Sequence, residues 1–252
     1  MPPSSAREAR GRRPRRPDRA ARAALVLLAA GSGTRGGADT NKVLLPLAGR
    51  RVLTWSLTWT DPLAAVVDTV VVIRPSDFDH VTEVLRSEAP GRPVHVVAGG
   101  STRHSSEFAA LTTLAPRIEA GEVDVVVIHD AARPLAGTRL FADAIDTAHV
   151  LGGALPVLGQ PGLLPVNGGT PPVETLVTVQ TPQAFRALPL LEAYRAADRA
   201  GFDGTDTAVC IQRFGSLSIR GLPGTAANIK ITFPEDLFLA ERILAAHHWH
   251  LP

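Results

Sequence analysis

Four short runs of Val, Leu and Ile do most to limit what this chain can become. Leu25–Ala29, Thr69–Ile73, Val94–Ala98 and Val123–Ile128 hardly alternate apolar with polar residues. A strand wetted on one face alternates, whereas a strand covered on both faces does not. Between the runs lie segments of helical character. Ser76-Asp-Phe-Asp79 offers an N-cap ahead of a helix over Val81–Arg86, and Arg139–Val150 repeats apolar residues at helical spacing. Thr232-Phe-Pro-Glu235 has the form of a capping box with proline in the first turn, opening a helix over Asp236–Ala246. Ala154–Leu158, Leu176–Gln180 and Asn228–Thr232 also read as buried strands. This rhythm predicts one α/β domain over residues 23–250 with a mainly parallel sheet between helices. Gly159–Val173, with four prolines and four glycines, breaks the rhythm and predicts an arm or loop excursion.

At 252 residues, 45% hydrophobic and 20% charged, the chain can bury a sizeable core, which excludes a disordered protein. A single cysteine, Cys210, makes neither an internal disulfide nor a Cys-based zinc site, which fits a reducing compartment. No run approaches the roughly 18 apolar residues of a membrane span. A soluble, cytoplasmic protein is expected. Residues 1–22 hold eight arginines against Glu8 and Asp18, a local balance of +6, so the remaining residues sum to about −4. The basic character therefore belongs to a tail, read as a disordered extension, and nucleic acid is not an expected partner of the body. The apolar stretch Ala23–Ala30 after this tail is short for a secretory signal and runs directly into Gly31-Ser-Gly-Thr-Arg35, so export is rejected.

In a doubly covered parallel sheet, ligands sit beyond the carboxyl ends of the strands. Ala29-Ala-Gly-Ser-Gly-Thr-Arg35 follows the first run. Its glycines, Gly31 and Gly33, let the backbone approach a phosphate closely and turn several N–H groups toward it. Arg35 adds a fork of donors, and Lys42 follows. Gly31–Gly36 also satisfies the literal G-x-G-x-x-G of dinucleotide-binding oxidoreductases, but that reading expects a carboxylate about 20 residues on. The sequence places Trp55-Ser-Leu-Thr-Trp59 there, and Gly36–Asn41 is too broken to open the required helix. The loop with Arg35 and Lys42 favours a nucleoside triphosphate. Among 26 cationic residues only two are lysines, Lys42 and Lys230, and both fall beside strand ends within conspicuous motifs. A compact ammonium fits between phosphate oxygens where a planar guanidinium does not; the plain alternative is two surface lysines.

Ala98-Gly-Gly-Ser-Thr-Arg-His-Ser-Ser106 is again a strand, a glycine pair and a helix start. Gly99 and Gly100 would let a base or ribose lie against the backbone, and Ser105 or Ser106 would cap the helix or bond the nucleotide. Val125-Val-Val-Ile-His-Asp-Ala-Ala-Arg-Pro134 brings Asp130 to the ligand edge, where a carboxylate can hold Mg²⁺. Arg133 would face a second anion, or else pair with Asp130 to close the loop. His129 reads as a satisfied buried histidine. Thr205 and Asp206 bring a hydroxyl and a carboxylate to the substrate side or cap a helix. His247-His-Trp-His250 reads as a helix end before a stray metal site.

Together these motifs resemble the cytidylyltransferases that make CDP-linked polyol phosphates. The nearest likeness is to the 2-C-methyl-D-erythritol 4-phosphate cytidylyltransferases, with the ribitol-5-phosphate cytidylyltransferases as relatives. The resemblance spans about residues 24–246 and rests on Ala29–Arg35 with Lys42–Leu47, Gly99–Arg103, His129–Pro134, Gln180–Gln183 and Asn228–Asp236. It implies a Rossmann-like nucleotidyltransferase three-layer sandwich, a short protruding arm joining a homodimer, and CTP with Mg²⁺. It also implies roles. Arg35, Lys42 and Lys230 would serve the reacting phosphates. Ala29, Ala30, Gly31, Ser32, Gly33, Gly99, Gly100, Ser106, Asp130 and Ala131 would bind nucleotide, with Asp130 also at the metal. Arg133, Thr205 and Asp206 would face the polyol phosphate. The chain departs from the family at Gly36 and Val43, where methionine and glutamine are usual. It departs further in its arm, since no lysine or arginine occurs between Arg139 and Arg186. The reaction expected is in-line attack of the acceptor's phosphate oxygen on the CTP α-phosphorus. The competing readings are another polyol phosphate, such as ribitol 5-phosphate, as acceptor, or a non-catalytic nucleotide-binding homologue.

Overall fold

Three of the four least alternating runs are buried along most of their length, whereas Val94–Ala98, expected to be buried, lies at the sheet edge with no fully buried residue. The structure, a computed structural model, describes residues 19–31, 41–159 and 176–246. In chain order the elements are β1 (Ala23–Leu28), β2 (Pro46–Leu47), β3 (Arg50–Arg51), α1 (Val52–Thr60), β4 (Val66–Ile73), α2 (Phe78–Glu88), β5 (His95–Ala98) and α3 (Arg103–Glu119). There follow β6 (Val125–Asp130), α4 (Gly137–Leu151), β7 (Gly152–Gly159), β8 (Val177–Val179), β9 (Gln183–Arg186), α5 (Ala187–Arg199), α6 (Thr207–Phe214), β10 (Ser218–Pro223) and α7 (Pro234–Ala246). The main sheet runs β10-β7-β9-β6-β1-β4-β5, with β8 paired to β7. β1 lies parallel between β4 and β6, and β9 runs antiparallel between β6 and β7. Every residue of β6 is buried, and so are the first five of β1.

Alternate β1 residues point to two separate cores. Ala23, Leu25 and Leu27 pack with side chains of α1, α2, α4 and α7, while Ala24 and Val26 pack with α3, α5 and α6. The result is a three-layer Rossmann-like sandwich, as the resemblance implies. At the carboxyl edge Leu28 is level with Val72 on β4 and with Asp130 on β6, and Ile73 is level with Ala98 on β5. Four strands thus end together, and the segments after β1, β5 and β6 leave from one rim. Among the described residues, no helix is long and apolar enough to cross a membrane.

Several expectations are corrected. Asn228–Thr232 is not a strand but an irregular segment that leaves a turn and is clamped to neighbouring loops, where Ile231 N–H donates to Ala132 O at 2.8 Å. β8 is exposed along its length, not buried. The carboxylate that closes the start of α7 is Asp236, accepting from Thr232 N at 2.7 Å and Phe233 N at 2.8 Å, in place of Glu235. Asp77, at the N-cap of α2, makes no capping bond; its carboxylate is taken by Arg74 and Asn41. Arg19 and Arg22, placed in the tail by composition, both reach Asp124 ahead of β6. Residues 1–18, the excursion from 160 to 173 and His247–His250 lie outside the described residues.

Candidate active site

The rim where β1, β4, β5 and β6 end encloses a cavity of about 580 Å³. Its floor is Asp130, placed by the last rung of β6. The Asp130 N–H donates to Thr181 Oγ1 at 3.0 Å, and that hydroxyl lies 3.0 Å from His129 Nδ1. His129 Nε2 in turn meets Arg133 O at 3.0 Å. Both ring nitrogens are therefore satisfied within a residue that has no exposed surface. Burial pushes the imidazole down to about 4, so it is neutral and structural.

The Asp130 carboxylate is held from two sides. Arg103, at the start of α3, donates through Nη1 to Oδ1, and Lys230 Nζ lies 2.7 Å from Oδ2. These two cations outweigh burial and hold the carboxyl well below the usual carboxylate range. No Asp130–Arg133 pair closes the loop. Arg133 instead donates to Asn228 O at 2.8 Å, and its Nε is buried without a partner.

Lys230 is delivered by the irregular segment after β10. Gln180 Nε2 donates to Thr225 O at 2.9 Å and to Asn228 O at 3.3 Å, and Asn228 Nδ2 donates to Thr181 O at 2.9 Å. Two carbonyls of this segment are thus held by Gln180, and the Asn228 side chain ties it to Thr181, which fixes the lysine without a sheet ladder. Lys42, across the cavity, is set by Asn41, a buried residue whose Nδ2 donates to Ala29 O and to Asp77 Oδ2, each at 2.8 Å. The chain's two lysines therefore line one cavity.

The third wall explains the glycine pair. A Cβ on Gly99 would lie 2.7 Å from Ala30 Cβ and 2.8 Å from Ser106 Oγ, so only glycine lets the β5 loop approach the β1 loop this closely. Thr102 caps α3 through a reciprocal capping box with Ser105, and the Ser106 hydroxyl donates to Thr102 O at 2.8 Å. Ala29, Ala30, Gly31, Gly100 and Ser106 line the cavity, with Gly99 and Ala131 adjacent in the chain to lining residues.

The acceptor-side residues are placed differently. Asp206 accepts from Ala208 N at 2.9 Å as the N-cap of α6 and from Gln183 Nε2 at 2.8 Å. Its helix-capping alternative is thus what the geometry shows, and neither Arg133, Thr205 nor Asp206 lines the cavity. Ser32, Gly33 and Arg35 lie outside the described residues. Sequence reasoning missed Asn41 and the role of Arg103. Asn41 neighbours Lys42, and Arg103 ends a noted glycine motif at the first turn of a helix. Position gave a signal for both, but their partners are distant in sequence.

Comparison with known proteins agrees with this geometry. The family model for 2-C-methyl-D-erythritol 4-phosphate cytidylyltransferase matches residues 23–246. The enzyme of that name from Thermosynechococcus vestitus is 37% identical over 226 residues, 87% of this chain and 94% of the relative. The one from Prochlorococcus marinus is 37% identical over 227 residues, 88% of this chain and 97% of the relative. The crystal structure of the Thermus thermophilus enzyme superposes with a TM-score of 0.66 at 30% identity, covering 89% of this chain and 99% of that one. A 4-diphosphocytidyl-2C-methyl-D-erythritol synthase from Anaerococcus prevotii, 24% identical, shares the fold with a TM-score of 0.75 over 90% of this chain and 97% of that one. With the motifs, the sheet order and the cavity in agreement, the chain belongs to the 2-C-methyl-D-erythritol 4-phosphate cytidylyltransferase family.

Proposed function

We propose that this protein transfers the cytidylyl group of CTP to 2-C-methyl-D-erythritol 4-phosphate, a step of isoprenoid precursor synthesis, and releases pyrophosphate. The observation that carries the reading is the convergence of Lys42, Lys230 and Asp130 on one cavity walled by the Gly99–Gly100 turn. A phosphate monoester is already nucleophilic near neutral pH. Its oxygen attacks the α-phosphorus in line, and the bond from that phosphorus to the β-phosphate bridging oxygen breaks as pyrophosphate leaves. No general base is needed, so catalysis rests on bringing two polyanions together and neutralising charge as it builds.

In this reading Lys42, with Arg35, stabilises charge at the α-phosphorus, and Lys230 orients the acceptor phosphate. The backbone from Ala29 to Gly33 receives the phosphates, Gly99, Gly100 and Ser106 receive cytosine and ribose, and Asp130 with Ala131 bounds the ribose. The acceptor roles of Arg133 and Asp206 have no support in the geometry, since the fold uses both side chains. Among the described residues no group of three or more His, Cys, Asp or Glu could hold a metal. Mg²⁺ often takes one or two carboxylates plus substrate phosphates. The single carboxylate of Asp130 fits an ion carried in by the triphosphate and does not fit a resident metal. Such an ion would neutralise the phosphates when bound. The exposed β8, next to the expected arm, supports a homodimer joined there, and the buried single cysteine fits a cytoplasmic setting.

The absence of lysine and arginine between Arg139 and Arg186 favours a second reading, a non-catalytic nucleotide-binding homologue, and leaves ribitol 5-phosphate as the competing acceptor. Purified protein with Mg²⁺, each nucleoside triphosphate and both polyol phosphates decides between them by pyrophosphate release. Release with CTP and 2-C-methyl-D-erythritol 4-phosphate is expected. Release only with ribitol 5-phosphate moves the assignment to the relative, and CTP binding without release to either acceptor overturns catalysis.

A further inference from the structure

Behind the cavity lies a carboxylate that the reaction as described does not use. Glu107 sits on α3 one turn after Arg103 and is 1% exposed. Its Oε1 accepts from Thr207 Oγ1 at 2.9 Å, and its Oε2 accepts from the Tyr194 hydroxyl. Arg103 Nε lies 2.9 Å from Oε1, an ion-pair contact outside hydrogen-bond alignment. Since Nη1 of the same guanidinium reaches Asp130, Arg103 spans two carboxylates, one on the cavity floor and one in the core. An arginine held at one nitrogen can pivot, whereas one held at two has its plane and direction fixed. A buried carboxylate is also expensive, and an apolar side chain of similar size would stabilise the core more.

We propose that Glu107 is a positioning residue: it holds Arg103 along the inner wall of the cavity, and Arg103 in turn fixes the Asp130 carboxylate where the nucleotide is received. The inference rests on the CMP-transfer reading above. The groups facing Glu107 are Arg103 on its own helix, Tyr194 on α5, Thr207 and Cys210 on α6, and the more remote Asp206 at the N-cap of α6. Of these only Arg103 is a cation, so the anchor has a single target.

Glu107→Gln keeps the volume and one acceptor oxygen, turns the other into an NH2 group from which a Tyr194 or Thr207 hydroxyl can accept, and removes the charge. By titration calorimetry with CTP and Mg²⁺ at about pH 8, this variant is expected to bind CTP about tenfold more weakly, the size of one lost charge-assisted contact. Its KM for the acceptor should stay at the wild-type value, and its melting temperature should not fall. Arg103→Lys, which keeps the charge and loses the fork, closes a double-mutant cycle. Because Glu107 acts through Arg103, the double variant should bind CTP no more weakly than Arg103→Lys alone. Wild-type affinity in Glu107→Gln, losses that multiply in the double variant, or a loss matched by a fall in melting temperature would each overturn the role. A wild-type protein that turns over no acceptor refutes the CMP-transfer reading instead, and the CTP-binding cycle still decides Glu107.

Discussion

Glu107→Gln should stabilise the protein above neutral pH even as it weakens the nucleotide site. In the fold the Glu107 carboxyl is pushed up to about 7 from an ordinary value of 4.5, chiefly by burial, which Arg103, Tyr194 and Thr207 offset only in part. An acid whose folded pKa is raised contributes stability that is fully present below about 4.5 and is lost as the pH rises through about 7, because the unfolded chain releases its proton first. A displacement of that size is worth about 3 kcal/mol. Glutamine is neutral at every pH and so stands in for the protonated acid. Wild type and variant should therefore melt close together near pH 5 and separate as the pH climbs. For a domain of this size each kcal/mol moves the midpoint by roughly 2–4 °C, so at about pH 8 the variant should melt about 6–12 °C higher. Scanning calorimetry across this range measures the gap. A variant that melts below wild type at about pH 8 would refute the reasoning, since ionised Glu107 would then gain more from Arg103 than it loses by burial.

Lys42→Ala and Arg35→Ala should each lower turnover on the order of a hundredfold or more, as loss of other preorganised charge stabilisers does. Steady-state pyrophosphate release measures this, and near-normal rates in both variants would remove the cavity's assignment. Gly99→Ala forces a methyl against Ala30 and Ser106 and should cost about 1–3 kcal/mol in urea unfolding, with weaker CTP binding; an unchanged midpoint would show that the two loops can part. His129, pushed down to about 4 by burial, contributes stability that is present above its ordinary 6.5 and lost as the pH falls through about 4. An NMR titration of its ring should show no protonation until the pH nears 4, and a midpoint near 6.5 would contradict the buried chain from Asp130 to Arg133.

The centre of the sheet was legible because β1, β4 and β6 are covered on both faces, and such strands need not alternate. β9 was not. It inserts antiparallel between β6 and β7, and nothing in four residues records direction. α1 is buried at every position, so it has no polar face to give it a helical period. Asn228–Thr232 imitates a strand because Ile229 and Ile231 alternate with polar residues, yet its polar groups go to side chains and loop carbonyls. In the cavity, Asp130 and the lysines were legible through strand-end position and the scarcity of lysine. Arg103 and Glu107 were not, because their partners are remote. Arg103 meets Asp130 across 27 positions, and Glu107 meets Tyr194 and Thr207 across 87 and 100.

The placement of the lysines follows from the charge the site must manage. The body outside residues 1–22 carries about −4, yet it has to admit a triphosphate and a phosphate ester. Charges beyond about 10 Å are largely screened at 0.1 M salt. Attraction for the nucleotide is therefore set by the cavity, where Lys42, Lys230 and Arg103 stand against Asp130. Asp130 stays ionised between Arg103 and Lys230, and this pairing keeps both cations ordered before substrate arrives. Their chemistry then divides the work. A guanidinium clamped between Asp130 and Glu107 is a fixed wall, whereas an ammonium on a four-carbon stem can turn from a carboxylate oxygen to a phosphate oxygen and present the same point charge to either. An arginine at 230 would favour a bidentate grip on Asp130 and hold the cation where the reaction does not need it.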